Sequence, residues 1–268
     1  MTTMATSAVC PGGRTEVAVV VNARWHDTGY ARAQLLAMLD EHDCAVVTVH
    51  DDFSDIGRLA NVDAVVAYTC DVRPSPDQVG ALESMLARGG RFLSLHATNS
   101  AIDAPVVGAE RIFRTPDAMP EFTRLLGNRF LAHPKIAPYR IDVVDPDHGL
   151  VRGVDAFTTV DEIYVTEIED DLHVILDVEY EGECPGFETG EACGRHPVLY
   201  TRADGSVTYF TLGHCRGRFD VSDLGIADLE VVDRIAWTSI EYREILRRCI
   251  GWSVHGSDFS LCPTKEKT

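Results

Sequence analysis

The chain has 268 residues, of which 45% are hydrophobic, and this is enough to bury one large α/β core. Its 42 acidic residues outnumber the 24 lysines and arginines, which gives a formal charge of -18. Such a surface repels phosphate backbones and anionic lipids, so the composition argues against nucleic acid and membranes as partners.

Targeting signals and disulfide patterns are both lacking in this sequence. Residues 1–14 contain neither the basic nor the apolar region of a signal peptide, and no stretch reaches the roughly 20 apolar residues that cross a bilayer. The eight cysteines form no CxxC pair and no regular spacing, which favours reduced, buried thiols. We therefore expect a cytoplasmic protein.

Strand and helix patterns alternate through the first hundred residues. Buried strands are predicted at Glu16–Asn22, Cys44–His50, Val62–Tyr68 and Arg91–His96. The alternation predicts an α/β fold with a flavodoxin-like, doubly wound, mostly parallel sheet. In that strand order the loops after the first, third and fourth strands open on one edge. His26, Cys70-Asp71 and His96 are therefore expected to share a crevice.

The second half of the chain is a strand-rich insertion followed by a last sheet strand and a helix. Strands are predicted at Ile136–Val144, Glu162–Ile168, Leu172–Tyr180, Pro197–Arg202 and Val207–Leu212. We expect the Gly-rich segment Glu181–His196 to be a long loop that serves as a lid or partner contact, and Tyr242–Val254 to be the closing helix. The predicted organisation is one domain over residues 16–256, with flexible tails at 1–15 and 257–268.

Familiar nucleotide-binding and nucleophile motifs do not occur at the expected turns. The loop after the first strand has no GxGxxG and no GxxxxGK[ST], which disfavours nucleotide binding by those routes. The turn after the fourth strand carries His96 where an esterase or a thiol amidotransferase would carry its serine or cysteine. Cys215 follows a histidine, but nothing near it in the sequence predicts a lowered pKa.

Histidines and carboxylates at predicted loop edges are the remaining candidates for chemistry. They are His26, His96, His133, His214 and the Asp161-Glu162 pair, which the pattern places at the start of a strand. Imidazole and carboxylate suit zinc, manganese or iron, and several of them converging would leave a position for substrate. Adjacent strand residues point to opposite faces, so only one of Asp161 and Glu162 is expected to join the site.

The other polar segments have simpler interpretations. We assign structural roles to His42, His50, His173 and His255, because histidine is commonly a satisfied hydrogen-bonding residue. Asp145–His148 has the composition of a turn.

Five short segments in order resemble the ThuA-like (trehalose utilisation) family. They are NARWHD, GGRFLSLHATNS, LLGNRFLAHP, DEIY at Asp161–Tyr164 and YFTLGH at Tyr209–His214. The resemblance runs from about Glu16 to Trp252 and implies a class I glutamine amidotransferase-like fold without the cysteine nucleophile. The sequence departs from the family pattern in the acidic segment Glu181–His196 and in CRGRFD after His214.

The resemblance also implies which residues form the site. His96, His26 and Glu162 would be catalytic, and a divalent metal (zinc, manganese or iron) would be held by His133, His214, His96 and Glu162. Glu162 is chosen over Asp161 on this resemblance alone.

Sugar catabolism alongside oxidoreductases that make 3-keto-glycosides is the context that the family implies. The expected activity is metal-assisted proton abstraction from a keto-sugar, as an isomerase, epimerase or lyase. The alternatives are a metal-dependent hydrolase of a sugar derivative and a non-catalytic module that binds a sugar or an oxidoreductase. A homodimer is the default expectation for an enzyme of this size.

Overall fold

A computed structural model describes residues 13–169 and 171–261. The helices are α1 (Thr28–Leu39), α2 (Ile56–Leu59), α3 (Pro76–Ala87), α4 (Pro120–Leu126) and α5 (Ile240–His255). The strands are β1 (Thr15–Ala23), β2 (Ala45–His50), β3 (Ala64–Cys70), β4 (Arg91–Leu95), β5 (Val106–Val107), β6 (Glu110–Arg111), β7 (Asn128–Ala132), β8 (Ala137–Val143), β9 (Phe157–Asp161), β10 (Val165–Ile168), β11 (Leu172–Glu183), β12 (Glu191–Arg202) and β13 (Val207–Phe210). None of the helices in this described part is both long and apolar enough to span a bilayer.

A nine-stranded mixed sheet organises the protein. Its order is β2-β1-β3-β4-β13-β12-β11-β8-β9, and the first five of these strands are parallel. The remaining strands run antiparallel to their neighbours. The parallel half has the order of a flavodoxin-like sheet, so the predicted α/β, mostly parallel, doubly wound fold is confirmed.

Helices cover both faces of the parallel half. Val17, Val19 and Val21 of β1 pack in one apolar cluster with α1 and α5, whereas Ala18 and Val20 pack in another with α3 and α4. Neither face of such a strand contacts solvent, which explains the continuous apolar sequence of β1. The two helical layers leave the carboxyl ends of the strands as the edge where loops diverge.

Side-chain caps begin the helices near the sites that the sequence indicates. Ser75 caps α3 in a capping box with Gln78, and Pro76 fills the first helical position. Asp27 caps α1 by accepting a hydrogen bond from the Tyr30 N–H, and it thereby ties the start of that helix to the loop after β1.

Two predictions for the second half of the chain were wrong, and one strand was missed. Most of the expected loop Glu181–His196 belongs to the long hairpin of β11 and β12, whose turn spans residues 184–190. The strand β9 was not predicted at all. Asp161 consequently ends a strand, and the next strand begins at Val165, after Glu162.

The ends of the described chain bear on the predicted domain limits. A 3₁₀ turn over Gly256–Leu261 continues from α5, and Phe259 packs against the larger apolar cluster. Residues 1–12 and 262–268, on which most of the two predicted tails fall, lie outside the described residues. The division into one domain and two tails stays a prediction.

Candidate metal centre

Four side chains that could hold a metal ion meet at the carboxyl edge of the parallel strands. They are His26, His96, Glu162 and His214, and each offers a ligand atom within 4.8 Å of the others. All four residues are buried, with at most 7% of any of them exposed. The sequence separates them by almost two hundred positions, and the sheet brings them together because β1, β4 and β13 run in the same direction.

His96 occupies the sharp turn that follows β4. Its backbone φ of 47° lies in the left-handed region, which is uncommon for a side chain of this size. Its Nδ1 lies 2.9 Å from the Thr211 carbonyl oxygen, which can only accept, so Nδ1 carries the proton. Nε2 of the neutral ring is therefore left with its lone pair facing the cluster.

His26 is oriented in a similar way by the loop after β1. The preceding residue, Trp25, is strained at φ 65°, and the following residue, Asp27, caps α1. The His26 Nδ1 lies 2.7 Å from the Arg24 carbonyl oxygen and donates to it. The lone pair of the neutral ring is therefore on Nε2.

These two Nε2 atoms lie 3.0 Å apart. Burial lowers the pKa of His96 to about 3, and it lowers the pKa of His26 well below its usual value with the help of the neighbouring imidazoles. Both rings are therefore neutral near pH 7, and neither Nε2 has a proton to give the other. A cation between them would turn this unfavourable approach of two lone pairs into coordination.

Glu162 supplies the carboxylate of the cluster. Its Oε1 lies 3.2 Å from His214 Nδ1 and 3.4 Å from Arg216 Nη2, and its Oε2 lies 3.8 Å from His96 Nε2. Burial opposes ionisation, but His133, His214 and Arg216 outweigh it and hold the pKa of Glu162 well below its usual value. The cluster therefore contains a buried negative charge.

Asp161 connects the two loops that carry Glu162 and His214. Its Oδ1 accepts hydrogen bonds from the N–H groups of Glu162 (2.7 Å) and His214 (3.0 Å), and its Oδ2 accepts one from Gly213 (2.8 Å). Burial raises the pKa of Asp161 to about 7, although His214 and these three N–H groups favour the charged form. Asp161 and Glu162 therefore both serve the cluster, one by holding backbone and the other by facing the imidazoles.

Gly213 lets His214 enter the cluster. Its φ is 122°, and a Cβ there would lie 2.5 Å from the Tyr242 hydroxyl, so a larger residue would collide. Its carbonyl accepts hydrogen bonds from the Tyr68 hydroxyl and the Trp237 indole. His214 Nε2 has no hydrogen-bond partner among the described residues, which is costly for a buried imidazole, whereas His214 Nδ1 lies 3.2 Å from Glu162 Oε1.

The ring nitrogens whose lone pairs point into the cluster have the spacing that ligands of one metal ion require. Two nitrogens bound to one zinc ion at about 2.0–2.1 Å lie roughly 3.3 Å apart, close to the separation of His26 and His96. His26 and His96 each donate an Nδ1–H hydrogen bond to a backbone carbonyl oxygen. Metal-binding histidines commonly make such a bond with the nitrogen that does not bind the metal, and it fixes their tautomer. A buried carboxylate and a third imidazole complete a donor set of the predicted chemistry.

Three further side chains border this donor set. The Tyr164 hydroxyl lies 3.0 Å from His96 Nε2, and burial raises the pKa of Tyr164 well above its usual value, so the hydroxyl keeps its proton. His133 Nε2 lies 3.8 Å from Glu162 Oε1, and Phe187 at the hairpin turn packs on the His133 ring at 4.8 Å. The His133 side chain is 27% exposed, so it lies at the open side of the cluster.

The structure places the predicted site residues in two groups. His96, His214 and Glu162 lie together as expected, and they are joined by His26, which was expected to take part only in catalysis. His133, expected as a metal ligand, lies beside Glu162 and outside the group of four. Tyr164 and Arg216 were not singled out, although the DEIY segment contains the former and the latter follows His214 by two positions.

Cys215 lies close to the cluster without the character of a nucleophile. Its thiol is buried against the Tyr68 hydroxyl at 3.3 Å, and burial raises its pKa to about 12. A thiol is a weak nucleophile when its pKa is that high. The structurally assigned histidines have local partners, such as Asp145 for His173 and Thr48 for His50.

Comparisons with known proteins agree with this architecture. The family model described as ThuA, trehalose utilisation, matches residues 16–224. A protein described as ThuA-like from Bacteroides uniformis superposes with a TM-score of 0.64 at 14% identity, covering 97% of this chain and 100% of its own. Another from Parabacteroides merdae gives a TM-score of 0.60 at 14% identity, covering 95% and 93%. At this identity the two structures support the fold alone. None of the curated proteins matches this chain.

Proposed function

The chain belongs to the ThuA family, described as trehalose utilisation, and from this premise we propose that it is a metal-dependent enzyme of carbohydrate catabolism. Its substrate would be a keto-sugar or 3-keto-glycoside, and its reaction would begin with removal of the hydrogen on the carbon beside the ketone. The product would be an isomer, an epimer or the product of elimination.

The observation that carries the proposal is the approach of His26 Nε2 to His96 Nε2 at 3.0 Å. Both rings are locked with their lone pairs inward, next to Glu162 and to the unmatched Nε2 of His214, and the Tyr164 hydroxyl is the neighbouring group that offers His96 Nε2 a proton. Buried nitrogen and oxygen atoms whose lone pairs point at one another repel, and a cation among them removes this repulsion. A divalent cation held there would act as a Lewis acid on a sugar ketone and acidify the neighbouring C–H bond.

The number of protein ligands narrows the choice among zinc, manganese and iron. Four ligands from the protein complete the tetrahedral shell of zinc, whereas octahedral manganese or iron keeps open positions. With His26, His96, Glu162 and His214 all bound, manganese or iron is the better match to a site that also receives substrate.

His133 is best placed to move the substrate proton. Its Nδ1 donates to the Pro134 carbonyl oxygen at 2.7 Å, so Nε2, which lies 3.8 Å from Glu162 Oε1, is the nitrogen that would accept the substrate proton. Unlike the four buried ligands, it is within reach of a molecule that enters from solvent. The C–H electron pair would move toward the ketone as His133 Nε2 accepts the proton. With His96 Nε2 bound to the metal, the Tyr164 hydroxyl would be free to donate a hydrogen bond to an adjacent substrate oxygen.

Metal analysis and isotope exchange test the proposal together. We expect the purified protein to contain manganese or iron and to incorporate deuterium from D2O at the carbon beside the ketone of a 3-keto-glycoside. Unoxidised glycosides should not exchange, because their C–H bonds lack an adjacent carbonyl. Hydrolysis of unoxidised glycoside without exchange would instead identify a metal-dependent hydrolase. Sugar binding without either reaction would identify a non-catalytic module.

Glu162→Gln separates the two roles that a carboxylate could have in this cluster. Loss of bound metal would identify Glu162 as a ligand, as proposed, whereas retained metal with lost exchange would identify it as the base. Glu167→Gln is the matched control, because Glu167 is exposed and pairs with Arg129 on the β7–β10 ribbon. A sugar oxidoreductase that forms the ketone would be the functional partner of this enzyme.

A further inference from the structure

A cavity lies beside the metal centre at the same edge of the sheet. Its volume is about 440 Å³, within the range of small-molecule pockets. Charged side chains from the ends of β1 and β3 and from the segment 102–114 dominate its lining: Arg24, Asp71, Arg73, Asp103 and Arg114. None of these residues belongs to the four-residue metal cluster.

Asp71 is the centre of the hydrogen-bond network in this cavity. Its Oδ2 accepts from Arg24 Nη1 at 2.9 Å, and its Oδ1 accepts from Arg73 Nη2 at 2.8 Å and from the Ile102 N–H at 3.1 Å. Arg73 Nη2 also donates to Asp103 at 2.8 Å. The Asp71 side chain is 12% exposed whereas Arg73 is 36% exposed, so a buried carboxylate orients guanidinium groups that still face solvent.

Backbone strain gives an independent indication of function at this cavity. Among the described residues, positive φ values outside glycine occur at Trp25, Asp71, His96 and Glu230. Asp71 and His96 directly follow β3 and β4, and Trp25 lies two positions after the end of β1. Strain at His96 serves the metal centre, but Asp71 contributes nothing to that centre. Its left-handed backbone at φ 58° serves the cavity, and strained residues of this kind concentrate at binding sites.

The charge balance indicates the chemistry of the ligand. Arg24 and Arg73 pair with Asp71, and Arg73 also pairs with Asp103. Outside the cavity, Arg24 pairs with Asp223 and Arg114 pairs with Glu188. The positive charges are therefore already compensated, which disfavours an anionic ligand. Fixed donors and acceptors side by side suit a neutral molecule that carries many hydroxyl groups.

Direct contacts connect the cavity to the metal centre. The Arg24 carbonyl oxygen holds the His26 ring, while the Arg24 side chain lines the cavity. On the other side, Phe113 precedes Arg114 and contacts both Trp25 at 5.8 Å and Phe187 at 5.4 Å. Phe187 in turn packs on His133, so one row of aromatic rings borders both the cavity and the metal centre.

We infer that this cavity is a subsite for the second, unreacting sugar ring of a glycoside whose ketone-bearing ring lies at the metal centre. The inference rests on the proposed function for the first ring only, since binding of the second ring requires no reaction. Arg73 and Asp103 would hydrogen-bond its hydroxyl groups and so favour disaccharides over monosaccharides.

Calorimetry on the protein as purified, with its bound metal, tests the subsite without any turnover. The probes are the disaccharide α,α-trehalose, glucose and inorganic phosphate. We expect saturable trehalose binding that Arg73→Gln and Asp103→Asn each weaken at least about tenfold, or about 1.4 kcal/mol. Arg32→Gln is the matched control, because Arg32 is 37% exposed and pairs with Asp51 at 2.7 Å near the end of β2. Absence of trehalose binding, binding insensitive to both variants, or phosphate binding that Arg73→Gln removes would overturn the assignment.

Kinetics distinguish a failure of the subsite from a failure of the proposed function. With a 3-keto-disaccharide, Arg73→Gln should raise KM about tenfold and leave kcat unchanged, whereas with a 3-keto-monosaccharide neither constant should change. Equal effects on both substrates would remove the subsite and keep the reaction. Trehalose binding that depends on Arg73, in a protein that exchanges no deuterium, would keep the subsite and remove the proposed reaction.

Discussion

Two pairs of histidines lie at opposite ends of the parallel sheet with nearly the same spacing. His26 and His96 approach at 3.0 Å at the carboxyl edge, and His42 and His255 approach at 2.9 Å at the other end. In the second pair, His42 Nδ1 meets His255 Nε2, so one ring can donate to the other in an ordinary hydrogen bond. In the first pair, both donors are already committed to carbonyl oxygens.

Proximity of two imidazoles is therefore a weak sign of a metal site, and the hydrogen-bond partners of the outer ring nitrogens distinguish a candidate site from an ordinary contact. The first pair also faces Glu162 and His214, whereas the second has the Cys44 thiol at 4.0 Å from His255 Nδ1. Burial and Arg91 lower the pKa of His255, and its contact with His42 joins α5 to the turn that follows α1. Mutations at the two pairs should therefore have different effects on bound metal.

His96→Ala should have the largest effect. We expect bound metal to fall from about one ion per chain to nearly none. Turnover should fall at least roughly a thousandfold, because several kcal/mol of transition-state stabilisation are lost. Elemental analysis and deuterium exchange measure both quantities, and His214→Ala should behave in the same way. Normal turnover with an unchanged far-UV circular dichroism spectrum would exclude the mutated residue from the site.

His133→Gln should separate proton transfer from metal binding. We expect kcat to fall about 10²–10⁴-fold, the usual contribution of a positioned acid or base, while the metal content stays at the wild-type level. The steady-state rate and the metal content of the same preparation provide the measurement. If the metal is lost as well, His133 is a ligand, and the donor set implied by the family resemblance is the better description.

Asp161→Ala should weaken metal binding without removing any ligand. Three backbone N–H groups would lose their acceptor, and loss of such an outer contact typically lowers metal affinity about 10–100-fold. Chelator competition measures this affinity, and Asp161→Asn, which keeps one acceptor oxygen, should recover part of it. An unchanged affinity in Asp161→Ala would show that packing around Gly213 positions His214 by itself.

His255→Ala should have the smallest effect. We expect the free energy of unfolding to fall by about 0.5–1.5 kcal/mol, the net value of an ordinary hydrogen bond, with metal content and turnover unchanged. Urea unfolding measures the free energy of unfolding, and elemental analysis and deuterium exchange measure the metal content and the turnover. A loss of bound metal in this variant would contradict the distinction between the two pairs.

Local sequence patterns were sufficient to predict the parallel half of the fold. The continuous apolar run of β1, and the caps and breaks around α3, depend on residues a few positions apart. The rule that ligands bind at the carboxyl ends of parallel strands then selected His26, His96 and His214. The outer part of the β11–β12 hairpin, residues 181–183 and 191–196, was missed because its glycines and charged residues match a loop locally, while its pairing depends on the opposite strand.

The sequence by itself determined the order of the parallel strands and the edge at which the histidines lie. It could not determine which nitrogen of each ring faces inward, because the carbonyl of Thr211 lies 115 positions from His96. It could not show that Asp161 reaches the backbone at Gly213, 52 positions away. These contacts were decided only by the tertiary structure, because hydrogen bonds depend on distances and angles that distant segments acquire when they pack.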